Sequence, residues 1–76
     1  MKLEHSVHWK LKKRKRKDIV DDLIEYAIRF SPVFCDKNWE GVFNAVYRIP
    51  PMGRTLKVVY RRMGDRFKII TAFWLD

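Results

Sequence analysis

The sequence contains little that would cross-link the chain or anchor it in a membrane. Cys35 is its single cysteine among 76 residues, so no disulfide can form within the chain. A lone free thiol is typical of a reducing compartment, and we therefore expect a cytoplasmic protein. No apolar run approaches the roughly 20 residues of a membrane-spanning helix, so no membrane partner is expected. The charged N-terminal segment also lacks the apolar stretch of a signal peptide.

Acidic residues are scarce. The chain has 9 aspartates and glutamates against 17 lysines and arginines, which gives a formal net charge of +8. Such an excess indicates a polyanionic partner, with RNA or DNA foremost. Seven of the eight residues from 10 to 17 are basic, and like charges at helical spacing repel one another unless an anion binds them. The predicted anion-binding residues of this run are Lys10, Lys12, Lys13, Arg14, Lys15, Arg16 and Lys17. A solvated surface without a ligand is the alternative.

Clustered metal ligands are also missing. The acidic residues are scattered, whereas two-metal nucleases need several carboxylates together. His5, His8 and Cys35, with Asp36 as a fourth candidate ligand, make the one zinc pattern worth weighing, and its spacing is weak. We therefore predict no metal and no cofactor. Cys35 follows apolar residues, which is typical of a buried, unreactive thiol.

The spacing of apolar residues predicts two helices in the first half of the chain. The first would span residues 5–17. The second would begin with Asp18 as its N-cap, carry Asp21 and Asp22 in its first turn, and end at Ser31. A helix ends there because the residue before a proline is pushed out of the helical conformation.

Alternating apolar residues predict three strands after the helices. Residues 33–41 would form a loop before them, and a tight turn at residues 64–65 would join the last two strands. The predicted strands span residues 42–49, 54–63 and 66–75. The expected fold is α+β, a single domain of residues 1–76 with two N-terminal helices packed on a three-stranded antiparallel meander.

Alternation along the second and third strands predicts two different sheet faces. One face, which includes Leu56, would receive the helices. The other would present Lys57, Arg61, Lys68 and Trp74. A basic sheet face with an aromatic side chain is what a nucleic-acid-binding surface needs. An ordinary polar face exposed to water is the alternative interpretation.

Several short motifs resemble those of a known group of small proteins. These are His5 near the start, a predicted helix that ends at Ser31-Pro32, Gly41 before a strand, the string GRTLKVVY at residues 53–60 and KIITAF at residues 68–73. They are similar to a domain family related to the RelE, ParE and BrnT toxins of toxin–antitoxin systems. The resemblance covers nearly the whole chain and implies two helices on a curved antiparallel sheet.

The same resemblance implies an activity and a partner. RelE-like members are endoribonucleases that cut mRNA without a metal, in some cases on the ribosome, whereas ParE-like members act on DNA gyrase. In such systems a cognate antitoxin covers the active face. An exposed sheet edge could equally be covered by a second copy of the chain, so a homodimer is also an expectation.

The resemblance also implies site residues. His5 matches the family's N-terminal histidine, Arg54 the arginine of the G-R motif, and Lys57 the basic residue before V-V-Y. Arg48 lies where basic residues of that group end the first strand. His5 or Tyr60 would transfer protons, and the cations would stabilise the charge that develops on the phosphorus. The predicted catalytic residues are His5, Arg48, Arg54, Lys57, Tyr60 and Arg61. Core packing is the alternative for Tyr60, and an ordinary surface position is the alternative for His5.

The sequence departs from those relatives at three places. Trp9 stands where an arginine is frequent, and residues 14–16 replace a Gly-Ile-Ser type of turn. The C-terminal arginine and tyrosine of RelE-type nucleases are absent. Three functions therefore stay open: an RNA-cleaving toxin, a basic module that holds RNA or DNA without cutting it, and a ParE-like toxin or co-regulator whose target is a protein.

Overall fold

The computed structural model describes residues 2–32, 34–35, 40–50 and 52–75. Two helices and five strands make up this part of the chain. The helices have 7 and 10 residues, and neither is long and apolar enough to cross a membrane. In chain order the elements are β1 (Lys2–His5), α1 (Val7–Lys13), α2 (Asp21–Phe30), β2 (Phe34–Cys35), β3 (Val42–Ile49), β4 (Arg54–Met63) and β5 (Arg66–Trp74).

All five strands belong to one mixed sheet in the order β1-β5-β4-β3-β2. The pairs β2–β3, β3–β4 and β4–β5 are antiparallel, whereas β1 runs parallel to β5. The predicted fold, two helices on a three-stranded antiparallel meander, is therefore wrong. Two further strands extend the sheet at its edges. Strand β1 pairs with the opposite end of the chain, so no local pattern marks it, and β2 has only 2 residues, inside the segment predicted as a loop.

The first helix is shorter than the predicted span of 5–17. It begins at Val7, with Ser6 as its N-cap, and ends at Lys13. The Ser6 hydroxyl accepts a hydrogen bond from the backbone N–H of Trp9 at 3.0 Å, as an N-cap residue does. Trp9 is fully buried, whereas Val7 and Leu11 are exposed. The basic residues after Lys13 lie outside the helix, which spares it their mutual repulsion.

The second helix begins later than predicted. Val20 occupies the N-cap position without a side-chain hydrogen bond, so the prediction of Asp18 as N-cap is wrong. Asp21 and Asp22 do lie in the first turn, where the helix dipole favours negative charge. The helix ends with Ser31 as its C-cap, as predicted.

Both helices cover the same face of the sheet, which we call the helix face. Helix α2 contacts β3 and β4, and α1 contacts β5. Burying each large aliphatic side chain between these layers stabilises the fold by about 1.5–3 kcal/mol. The core consists of Trp9, Ile19, Ile24, Ala27, Ile28, Ala45, Ile49, Leu56, Val58, Tyr60, Ile69 and Ala72.

A bulge interrupts the pairing of β4 with β5. Val59 pairs with Thr71, but the next residue, Tyr60, pairs with Ile69. Ile70 is therefore an extra residue in β5. Because neighbouring residues of a strand point to opposite faces, one extra residue reverses the alternation for the rest of the strand.

This reversal decides which aromatic residue lies on each face. Ser6 holds the bulge in place, since its backbone N–H donates to the carbonyl of Ile69 at 3.0 Å and its hydroxyl donates to the carbonyl of Ile70 at 3.1 Å. Beyond the bulge, Trp74 pairs with Leu56 on the helix face and Phe73 pairs with Lys57 on the other. The prediction that Trp74 shares a face with Lys57 is therefore wrong.

Replacing Ser6 should destabilise the protein by more than one lost contact would. Ser6→Ala removes both the N-cap of α1 and the hydroxyl bond to the bulge, and N-cap removal alone costs about 0.5–2 kcal/mol. Urea unfolding followed by circular dichroism should show a loss of about 1–3 kcal/mol. Ser6→Thr keeps the hydroxyl and should lose less. Equal stability of Ser6→Ala and the wild type would contradict this role.

Candidate functional site

The face of the sheet opposite the helices is the candidate site, and we call it the open face. The strand registers place Asn44 beside Val59, Val46 beside Lys57, and Arg48 beside Thr55. On β3, β4 and β5 the residues of this face are Val42, Asn44, Val46, Arg48, Thr55, Lys57, Val59, Arg61, Met63, Arg66, Lys68, Thr71 and Phe73, and Lys2 and Glu4 of β1 and Phe34 of β2 flank them.

An excess of positive charge is the main electrostatic feature of the open face, where the acid Glu4 lies beside Lys68 and forms an ion pair with Arg66 at 3.2 Å. Arg61 and Lys68 lie directly opposite each other on β4 and β5, where like charges repel. Arg48 and Lys57 add two more cations to the same face. None of the four forms an ion pair with another residue in the described part of the chain. A bound polyanion would replace this repulsion with attraction.

An aromatic ring lies among these cations. Phe73 is half-buried on the open face, directly opposite Lys57. The Lys57 Nζ atom lies 5.9 Å from the ring centroid, and the guanidinium carbon of Arg16 lies at the same distance. Both distances are at the outer limit of a cation–π contact. Val46 and Val59 complete a half-buried apolar centre between the charges.

The loop between the helices, residues 14–20, extends this positive surface past the sheet. Strand β1 pairs with β5 only as far as Ile69. Beyond that point Arg16 covers the edge of β5, and its Nη1 donates to the backbone carbonyl of Ala72 at 3.0 Å. Around Arg16, the side chains of Arg14, Lys15 and Lys17 are exposed. The basic run is thus joined to the open face at Arg16.

A second charged cluster holds the same loop on the helix side. The indole N–H of Trp74 donates to Asp18 Oδ2 at 2.8 Å, and Arg54 Nη1 donates to the same oxygen at 3.2 Å. The Arg54 guanidinium lies 4.4 Å from the Trp74 ring centroid. Arg54 and Trp74, which were both predicted to be site residues, therefore donate hydrogen bonds to Asp18 within the protein.

His5 belongs to a third cluster, also on the helix side. Its Nε2 lies 3.4 Å from Asp21 Oδ2, and Lys13 Nζ donates to Asp21 Oδ1 at 2.9 Å. The Nδ1 atom of His5 is buried and has no hydrogen-bond partner among the residues described. Partial burial acts to raise the pKa of the Asp21 carboxyl, but the Lys13 hydrogen bond and the nearby positive charges of His5 and Lys13 outweigh it. The pKa of Asp21 is therefore lowered.

Tyr60 is part of the core. It is 3% exposed, and its ring lies 5.8 Å from Phe43 and 5.7 Å from Phe67. Burial raises the pKa of Tyr60 above its ordinary value of 10.0, against the lowering effect of Arg62. The phenol therefore stays protonated near neutral pH and does not supply a base there.

The six predicted catalytic residues do not come together. Arg48, Lys57 and Arg61 lie on the open face, whereas His5, Arg54 and Tyr60 lie on the helix face. Arg54 and Tyr60 are also about 20 Å apart along β4, at roughly 3.3 Å per residue. The sheet separates both predicted proton-transfer groups from the open-face cations.

The remaining predicted residues also divide between the surfaces. Lys68 lies on the open face, and Lys10 and Lys12 are exposed on α1. In the described residues no three histidine, cysteine or acidic side chains are grouped as metal ligands would be. Cys35 is exposed, contrary to the expectation of a buried thiol. Asp36 lies outside the described residues.

Phe73 is the residue that sequence reasoning assigned to the wrong face. Strict alternation from Phe67 places it toward the helices, and only the bulge at Ile70 reverses that assignment. No local signal in the KIITAF segment marks an extra residue. Comparison of the chain with protein-family models, with curated proteins and with solved structures gave no match. The resemblance to toxins therefore rests on the sequence motifs alone.

Asp21→Asn should make the free energy of unfolding depend less on pH in the acid range. The folded carboxyl has a lowered pKa, so it contributes stability above the ordinary aspartate pKa of about 3.9, and this contribution is lost as pH falls through the folded pKa. Urea unfolding at a series of pH values from 7 to 2 should show the wild type losing its advantage toward the acid end. Asp22→Asn, in the same helical turn, is the matched control. A pH-independent difference between Asp21→Asn and the wild type would contradict this account.

Proposed function

We propose that this protein is a nucleic-acid-binding module whose open face holds the phosphate backbone of RNA or DNA without cutting it. The observation that carries the proposal is the cross-strand pair of Arg61 and Lys68, flanked by Arg48 and Lys57, with no ion pair from any described residue. A fold that tolerates this repulsion gains from a ligand that removes it.

A polynucleotide matches this surface better than a small anion does. The cations are spread across several strands of the sheet, and Lys57 and Arg61 alone are about 13 Å apart along β4. Regularly spaced phosphates can contact such a set at once, and each contact releases bound counterions into the solvent. The exposed basic loop at residues 14–20 increases the attraction at longer range.

Binding without cleavage is favoured by the position of the proton-transfer candidates. Metal-independent RNA cleavage needs an acid or base within hydrogen-bond reach of the reacting oxygens. His5 contacts Asp21 on the helix side, and Tyr60 is buried in the core. Neither lies beside the open-face cations. RNA cleavage by a cytoplasmic toxin, with a cognate antitoxin or a second copy as partner, is a hypothesis that the motif resemblance alone supports.

Neutralising the opposed cations should weaken binding and stabilise the free protein at the same time. The double variant Arg61→Gln/Lys68→Gln removes two phosphate contacts, so the slope of log K against log salt should fall by about 1.4 for a single strand. Relief of the like-charge pair should raise the free energy of unfolding by about 0.2–1 kcal/mol. Fluorescence anisotropy with a labelled oligonucleotide measures the first effect, and urea unfolding measures the second.

Arg29→Gln is the matched control, because Arg29 is an exposed cation on the helix side of the molecule. It should leave the salt slope unchanged. If Arg29→Gln weakened binding as much per charge as the open-face double variant, attraction would depend on net charge alone, and the open face would lose its assignment.

Purified protein should shift RNA on a native gel and leave it intact. The incubation includes a chelator and is run with and without ribosomes, beside Arg54→Ala. Arg54 binds Asp18 at the surface, so this variant should fold and should still shift RNA. RNA fragments that appear with the wild type but not with Arg54→Ala would establish a ribonuclease and overturn binding without cleavage.

A further inference from the structure

We infer that the open face takes a single strand, that one base stacks on Phe73 between Lys57 and Arg16, and that the strand then crosses the edge of β5 onto the loop at residues 14–20. This inference rests on the proposed function, and it names the residues that would select single strands. The ring and the two cations meet at one place, although they come from β5, from β4 and from the loop between the helices.

The two cations are arranged to hold phosphates on either side of a stacked base. Lys57 and Arg16 lie equally far, 5.9 Å, from the centroid of the Phe73 ring. Arg16 uses Nη1 for the carbonyl of Ala72, which leaves other N–H groups of its five for a ligand. Lys57 has three donors and no ion pair with a described residue.

The loop is held in position before any ligand arrives. Arg16 attaches it to the β5 backbone, and Asp18 attaches it to Trp74 and Arg54. Because these contacts exist in the free protein, little conformational entropy is lost when the exposed cations beside them bind phosphates. Basic side chains therefore extend from the open face, through Arg16 at the edge of β5, to the exposed cations of the loop.

An aromatic ring can stack only on a base whose face is accessible. Bases in a duplex are already stacked on each other, whereas those of a single strand are available to an aromatic platform. Stacking on a protein ring does not depend on the hydrogen-bonding edge of the base, so we expect little sequence preference. The ligand class is therefore a single-stranded polynucleotide, whether RNA or DNA.

The first test uses the wild-type protein with three labelled ligands of equal length: oligouridine or oligothymidine, an abasic strand, and a blunt duplex, which should bind more weakly than the strand with bases. Anisotropy at fixed salt should show the abasic strand binding about 5- to 150-fold more weakly than the strand with bases, since stacking contributes that factor per base. The salt slopes of the two single strands should agree, because both carry the same phosphates. Equal affinities for the abasic and normal strands would overturn the inference.

The second test replaces the ring. Phe73→Leu keeps an apolar side chain but removes the aromatic face, so its affinity for the normal strand should fall to that of the wild type for the abasic strand. Phe30→Leu is the matched control, since Phe30 is 58% exposed on α2, on the helix side. Far-UV circular dichroism and thermal melting establish that both variants fold. Unchanged affinity of a folded Phe73→Leu would also overturn the inference.

The third test concerns the path over the strand edge. Arg16→Gln and Lys15→Gln each remove one charge from the same loop, but only Arg16 contacts the Phe73 ring and the β5 backbone. Arg16→Gln should lower the affinity more than Lys15→Gln does. Equal losses would remove Arg16 from the path.

These outcomes separate the inference from the proposed function. If Arg61→Gln/Lys68→Gln weakens binding while Phe73→Leu and the abasic strand have no effect, the open face binds phosphates and the stacking inference is wrong. If the double variant also has no effect, the proposed function itself is wrong.

Discussion

One serine joins the two ends of the chain and determines the arrangement of the sheet. Ser6 directly follows β1, and its hydroxyl caps α1 by accepting a hydrogen bond from the backbone N–H of Trp9. Its backbone N–H donates to the carbonyl of Ile69, and its hydroxyl donates to the carbonyl of Ile70. These bonds hold one extra residue in β5. If Ile70 paired in the regular register instead of forming a bulge, Phe73 would face the helices and Trp74 would face the other side. The composition of both faces therefore depends on a single bulge and on the side chain that supports it.

The two faces of the sheet differ in how far acidic residues balance their cations. On the helix side, acidic residues compensate the cations, since Asp18 accepts from Arg54 and Asp21 accepts from Lys13. On the open face the central cations have no such partners within the described ranges. Glu4, which lies beside Lys68 on this face, pairs with Arg66, so the face keeps an excess of cations, and this excess is the physical basis for the proposed polyanionic ligand.

Local patterns predicted part of this structure. The bounds of β3 and β4, the two aspartates in the first turn of α2 and the end of that helix at Ser31 all follow from periodicity and from proline and dipole rules. Strand β1 could not be found in this way, because it carries no periodic signal of its own and its partner lies at the far end of the chain. The exposed basic loop follows from composition, but its attachment through Arg16 does not.

The candidate site was also predictable from the sequence only in part. The sequence by itself determined the positive charge, the alternation of β4 and hence the common face of Lys57 and Arg61, because these depend on residue type and on a period of two. The same alternation places Arg54 and Tyr60 on the other face. Tertiary structure decided that His5 lies there too, beside Asp21, and that Phe73 replaces Trp74 beside Lys57. Those placements depend on pairing between distant segments and on one extra residue in β5, and neither leaves a mark in the local sequence.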